Sequence, residues 1–321
     1  MSMARLKYDP WMLALHLVDG SASRRMTLSL EQLSEILTET RRVPTIHTVQ
    51  VRGIEADPGE LPDLVERARM IALAGFPQRI LYTTGEGMRR QEAEEVLRAF
   101  THVEFSLPSK LAILEAPLSE AAARQVEDWL RGIEYYARVK QAWQLSAELV
   151  VRVPARTIAG TLCERLDGLV GRAVFRVQRA GSASAFSLAQ QQAGYGMKLC
   201  EEPYRVLTFN TNGQMTGCSG THKPRVQFGS LREQTLTQLW EGEPIEAWRA
   251  TRAQNQCQGC PGMGTTVRRP SLISIYDAVG EQRFHEYPQR QLQRAAEEAE
   301  GKAPTPRSPF REIFCKPRQA S

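Results

Sequence analysis

Apolar runs of strand length alternate with amphipathic runs of helical length through the first 190 or so residues of this 321-residue chain, and that alternation leaves few architectures open. Met12 to Val18 reads as a strand, followed by a helix over Leu28 to Thr40 that Thr27 or Ser29 is placed to cap. Strands then recur at Thr45 to Arg52, Arg79 to Thr83, His102 to Ser106, Leu145 to Arg152 and Ala173 to Val177. Between them fall helical patterns at Leu61 to Ala74, Arg90 to Ala99, Glu120 to Val139 and Ile158 to Leu169. Six βα-like units in a row predict an α/β protein with a parallel sheet, closed as a partial (β/α)6 TIM-like barrel.

A different pattern follows. Cys200, Cys218, Cys257 and Cys260 form a C-x17-C-x38-C-x2-C array. Thiolates are soft ligands that suit an iron-sulfur cluster or a structural zinc, so residues 200 to 260 are expected to hold a metal centre, with simple burial of the thiols as the bland alternative. Tyr204 to Gly217 reads as a hairpin, because Val206, Thr208 and Asn210 alternate with Leu207 and Phe209. Asn212-Gly213 supplies a turn in which both central residues can take positive φ. Leu236, Leu239, Trp240, Ile245 and Trp248 then recur at roughly helical spacing.

These residues resemble the SPASM domain, the auxiliary-cluster module that follows the catalytic barrel in many radical SAM proteins. The matching positions are Cys200 with Pro203, Gly213 with four residues between it and Cys218, Gly229, Thr235-Leu236-x-x-Leu239-Trp240, Arg249, and Cys257-x-x-Cys260. The resemblance implies one [4Fe-4S] cluster on Cys200, Cys218, Cys257 and Cys260. No cysteine lies between Gly262 and Pro270, so a second auxiliary cluster is not expected. His222 reads as a loop histidine with a substitute ligand as the alternative, Cys163 as a core thiol, and Cys315 as a free thiol of the tail with a distant cluster ligand as the alternative.

The order of strands and helices likewise resembles the radical SAM core, with one omission. Active members carry a C-x3-C-x2-C loop after the first strand. The loop here, Asp19-Gly20-Ser21-Ala22-Ser23-Arg24-Arg25, has no cysteine, and none precedes Cys163. A serine hydroxyl stays protonated at neutral pH and is a harder donor than a thiolate. The glycine-rich G-G-E-P segment of the family stands here as Gly53-Ile54-Glu55-Ala56-Asp57-Pro58. Thr83-Thr84-Gly85 replaces a T-N-G, and Ser106 matches a polar position at the end of its strand. Gly53, Glu55 and Ser106 are therefore the candidates for a residual S-adenosylmethionine (SAM) site. Glu55 and Asp57 otherwise read as solvated turn residues, and His16 and His102 as packed or surface residues.

The organisation expected is a radical-SAM-like barrel over 1–190, a SPASM-like iron-sulfur domain over 191–262, a helical extension over 263–300 and a flexible tail over 301–321. The net charge of +5 is dispersed among acidic residues, which does not favour nucleic-acid binding. No apolar run is long enough to span a bilayer and no signal-peptide core is present, so the cytoplasm is the expected location. The function expected is a catalytically degenerate radical SAM/SPASM-like protein, an accessory or electron-relay subunit. The family analogy gives it a peptide substrate or a catalytic protein as partner. An enzyme that still binds SAM or another small molecule in the barrel, and a zinc-stabilised interaction module, are the alternatives.

Overall fold

The computed structural model describes residues 6, 8–20, 24–106, 120–154, 175–180, 202–219 and 226–255. Six parallel strands lie side by side in chain order: β1 (Met12–Asp19), β3 (Thr48–Ile54), β4 (Gln78–Thr83), β5 (His102–Ser106), β6 (Glu148–Pro154) and β7 (Phe175–Ala180). Parallel neighbours in sequence order are what repeated right-handed βα crossovers produce. The short β2 (Met26–Thr27) folds back antiparallel onto the end of β1. The helices α1 (Leu30–Arg41), α2 (Leu64–Leu73), α3 (Ala93–Ala99) and α4 (Glu120–Ala142) make the crossovers after the first, second, third and fourth strands of that series. The expected helix at 158–169 lies outside the described residues.

Sequence explains each element locally. Ser29 accepts from the Gln32 amide and Gln32 reaches back to the Ser29 N–H, a capping box that starts α1. The exposed side of α4 carries Glu120–Arg124, Glu127–Arg131 and Glu134–Arg138 pairs one turn apart, each contributing a few tenths of a kcal/mol at most. Its other side buries Val126, Trp129, Leu130, Ile133 and Tyr136.

The sheet has two chemically distinct faces. Leu13, Leu15 and Leu17, Val49 and Val51, Leu81, Val103 and Phe105, Leu149 and Val151 join the helices in one core. The alternate residues turn the other way, and there the strands present Ala14 and His16, Gln50 and Arg52, Tyr82, and Glu104 in lateral register. This second face is polar although His16, Gln50 and Glu104 are buried.

The segment around Cys218 extends the same sheet. After the single-turn helix α5 (Glu202–Arg205), β8 (Val206–Phe209) runs parallel to β1 on the side away from β3. β9 (Gln214–Thr216) and β10 (Gln227–Ser230) add on antiparallel. Glu202–Ala250 thus falls in the same compact unit as Met1–Gly181. The hairpin between β8 and β9 forms as expected, but its turn differs. Gly213 donates to the Asn210 carbonyl and Asn210 donates to that of Gln214, which closes a three-residue loop over 211–213. Only Gly213, at φ +76°, is left-handed in that loop, as in a type I turn completed by a bulge glycine.

The helical segment expected after Thr235 is broken in two, α6 (Leu236–Glu241) and α7 (Glu243–Asn255). Gly242 between them is extended (ψ 157°), and Pro244 falls in the first turn of α7, where its missing N–H costs nothing. A second capping box, Thr235 with Gln238, starts α6.

Candidate metal centre

Of the four array cysteines, only Cys218 falls among the described residues; Cys200, Cys257 and Cys260 lie outside them, as do His222, Cys163 and Cys315. No group of three or more His, Cys, Asp or Glu side chains that could hold a metal ion occurs among the described residues. Cys218 is half-buried on the loop leaving β9, and the loop is held from three sides. Thr216 Oγ1 donates to the Cys218 carbonyl at 3.2 Å. Glu202, two residues past Cys200 in sequence, accepts from both the amide and the hydroxyl of Ser219, at 2.9 and 2.7 Å. Arg52 of β3 reaches the Ser219 carbonyl at 3.4 Å. Gly217 lies so close against the Trp248 indole that a Cβ there would sit 2.3 Å from the ring.

Two positions that carry the SPASM resemblance, Pro203 and Trp240, meet at a third, Arg249. Its guanidinium is 3% exposed and lies over the ring of Trp240 at 4.2 Å, with Tyr8 and Tyr204 at 5.1 and 5.6 Å. It donates to the carbonyls of Pro203 at 2.9 Å and Trp240 at 2.7 Å, and pairs with Glu246. Burial pushes its pKa below the usual arginine value, opposed by the Glu246 carboxylate. A buried cation needs such compensation to persist. The result joins the helix next to Cys200, the α6 end and the α7 helix that leads toward Cys257.

The donor set suits an iron-sulfur cluster. Four thiolates are its usual ligands, and the one thiol described stands half-buried on a loop fixed by its own backbone hydrogen bonds.

The candidates for a residual SAM site take up other work. Gly53 ends β3, where a Cβ would meet the Ala56 carbonyl oxygen at 1.9 Å, so the tight turn after it requires glycine whatever the barrel binds. Glu55 is exposed and left-handed at φ +59°. Ser106 ends β5, two strands from Gly53 and roughly 10 Å away across the sheet. All three lie at the C-terminal edge of the parallel strands, but only as dispersed positions.

Asp57 corrects the expectation of a solvated turn residue. It is 9% exposed and ties the loop after β3 to the loop after β4. Its Oδ1 accepts from the Gly59 amide at 2.6 Å and the Thr83 hydroxyl at 2.5 Å, and its Oδ2 from the Thr84 amide. Arg25, in the loop after β1, pairs with Glu60 just beyond it. A cleft of about 230 Å³ opens beside this network between Thr84, Gly85 and Met88 and the α4 residues Trp129, Gly132 and Tyr136. None of Gly53, Glu55 or Ser106 lines it. His16 is buried on the polar face of β1, and His102 pairs with Glu148 at 3.0 Å, so both are packed as expected.

Known proteins resemble this chain in sequence over one segment and in fold. Residues 200–261, about a fifth of the chain, match the family model SPASM, described as an iron-sulfur cluster-binding domain. Among solved structures, Streptococcus suis SuiB bound to S-adenosylmethionine is 13% identical, over 79% of this chain and 69% of that one, with a TM-score of 0.50. BtrN in complex with AdoMet and 2-DOIA is 9% identical over 82% of this chain and 94% of that one (TM-score 0.46). The anSMEcpe protein with bound AdoMet is 9% identical over 74% and 82% (TM-score 0.46). No curated protein sequence matches the chain. The chain shares an α/β fold with SuiB, and its residues 200–261 match the SPASM model. Among the described residues no helix is long and apolar enough to cross a membrane.

Proposed function

We propose that this chain is a SPASM-type iron-sulfur protein whose barrel has lost reductive SAM cleavage. In this reading it serves as an accessory or electron-relay subunit, in a reducing compartment such as the cytoplasm, for the modification of a peptide or small molecule. Cys200, Cys218, Cys257 and Cys260 would hold a single [4Fe-4S] cluster. When bound, such a cluster supplies a one-electron redox centre and a covalent tie between distant segments. The residues around it have defined tasks. Glu202 and Thr216 fix the backbone on either side of Cys218, and Arg249 holds the Pro203 and Trp240 carbonyls so that the helices flanking the array keep their spacing.

The observation that carries the loss of SAM cleavage is the use made of the loop after β1. It contains no thiol, and it folds back through β2, where Val18 pairs with Thr27 and Asp19 with Met26. Gly20 donates to the Ile54 carbonyl, and Arg25 is pinned to Glu60. Where the family places a cluster loop, this chain has a short antiparallel return.

The test is a Cys218→Ala variant of the full chain, purified without oxygen beside the parent. Loss of bound iron with a lower melting temperature is the expected result, since ligation and folding are coupled. Incubation of the parent with SAM and dithionite should release no 5′-deoxyadenosine. Unchanged iron in the variant, zinc in place of iron, or SAM cleavage by the parent would each overturn the reading.

The polar face of the sheet favours a second reading, in which the barrel still binds SAM or another small molecule. Calorimetry with millimolar SAM separates the two.

A further inference from the structure

One charge on the polar face of the sheet has no counter-charge among the described residues. Arg52 sits next to the C-terminal end of β3, half-buried, with its guanidinium 5.2 Å above the Tyr82 ring. Its Nη2 donates to Gln50 Oε1 at 2.5 Å and its Nη1, weakly, to the Ser219 carbonyl at 3.4 Å. Its Nε is buried and finds no acceptor, and among the described residues no carboxylate comes within ion-pairing distance of it. A guanidinium has five donors, and both of its acceptors here are neutral. Such a group is costly to bury unless an anion completes it, and a carboxylate is the planar partner that fits its fork.

A second observation falls on the same face. Thr208 on β8 is 0% exposed, and its hydroxyl has no hydrogen-bond partner among the described residues. Thr208 and Gln50 are both in register with Ala14 of β1, one on each side. The smallest side chain on this face therefore stands between an orphaned hydroxyl and the glutamine that holds the uncompensated arginine. The Arg52 Nε and the Thr208 hydroxyl thus leave hydrogen bonds that the described residues do not meet. These groups lie on the face away from the helices, and Arg52 and Tyr82 stand toward the C-terminal strand ends, where (β/α) folds place their ligands.

From these contacts we infer that Arg52, with Thr208 and Tyr82, forms a binding site for a carboxylate-bearing ligand on the inner face of the barrel. Arg52 supplies the charge-assisted bond, the Tyr82 ring supports the guanidinium plane, and Thr208 donates or accepts a further hydrogen bond. The second contact of Arg52, with Ser219, adjoins Cys218. The ligand's carboxylate would thus be held one residue from the proposed cluster loop. The inference rests on the reading of this chain as one that binds a peptide or small molecule, and it names the chemical class.

The experiment is calorimetry on the anaerobically purified full chain, with three probes: N-acetyl-trialanine with a free carboxylate, its C-terminal amide, and inorganic phosphate. The parent should bind the free carboxylate at least tenfold more tightly than the amide. Arg52→Met should lose that preference, Arg52→Lys should keep part of it, and Thr208→Val should weaken binding by a smaller factor. Tight binding of phosphate alone would move the site to a different anion and overturn the carboxylate assignment. Equal binding of acid and amide, no binding of any probe, or an unaffected Arg52→Met would overturn the site altogether. Iron and the visible spectrum, recorded on the same preparations, keep the two questions apart. A chain that holds its cluster and ignores the probes defeats this inference alone.

Discussion

The Nε of Arg249 donates to the carbonyl oxygen of Pro203 at 2.9 Å, joining two residues 46 positions apart on opposite sides of the Cys218 loop. The same guanidinium holds the Trp240 carbonyl at 2.7 Å. Removing it leaves the Pro203 and Trp240 carbonyls without their donor and takes the cation from the partly exposed Glu246. Arg249→Met should destabilise the protein by about 2–3 kcal/mol, the cost of leaving two buried carbonyls unsatisfied. Arg249→Lys cannot span both carbonyls with the same planarity and should recover only part of the loss. Thermal melts with iron content measured in parallel check this, and both quantities should fall together.

Contact between Gly217 and the Trp248 ring makes a sharper steric prediction. A methyl at 217 would sit 2.3 Å from the indole, so Gly217→Ala must push the ring or the Cys218 loop aside. Overpacking of this kind costs about 1–3 kcal/mol. Because the displaced loop carries Cys218, bound iron should drop more than the melting temperature alone would explain. A Trp248→Leu change in the same chain should relieve part of the effect.

Asp57 gives the opposite signature. Asp57→Ala leaves the Thr83 hydroxyl and the Gly59 and Thr84 amides without their acceptor, and should cost about 2–4 kcal/mol. The loss lies at the barrel edge, so iron content of the folded fraction should be unchanged. A fall in iron equal to that of the Arg249 variants would show that the barrel edge and the cluster segment are coupled.

The pH dependence has a named contributor in Asp63. Hydrogen bonds from Arg67 hold its carboxyl below the usual aspartate range, against an opposing push from partial burial. The folded value lies below the unfolded one. The stabilisation is therefore complete above about pH 4 and is lost as pH falls through the folded value. Asp63→Asn should destabilise the chain at pH 7 and flatten this part of the acid limb. Denaturant melts at pH 7, 4 and 3 on both proteins check it.

Much of this architecture is legible in the residues. Runs such as Leu13-Ala14-Leu15-His16-Leu17 and Val49-Gln50-Val51-Arg52 announce strands, and turn chemistry places the hairpin before Cys218. Their alternation reads as one buried and one polar face, but periodicity cannot distinguish a solvent face from the inside of a barrel. That is why Arg52 and Thr208 escape a linear reading. Asp57 escapes for a related reason. An acidic residue between Ala56 and Pro58 looks like a turn, and its three donors come from backbone and side chain up to 27 positions away. Arg249 stands out in the sequence only through its match to a family position; its burial among Tyr8, Tyr204 and Trp240 has no local signal. The break at Gly242 was readable in principle, since Gly-Glu-Pro supplies a stop and then a first-turn proline.

The most direct test of the account is the number of irons and acid-labile sulfides per chain in anaerobically purified protein. One cluster on Cys200, Cys218, Cys257 and Cys260 predicts about four of each. About eight of each would mean a second cluster elsewhere in the chain and would restore radical chemistry to the barrel, while zinc without sulfide would replace the redox centre by a structural one.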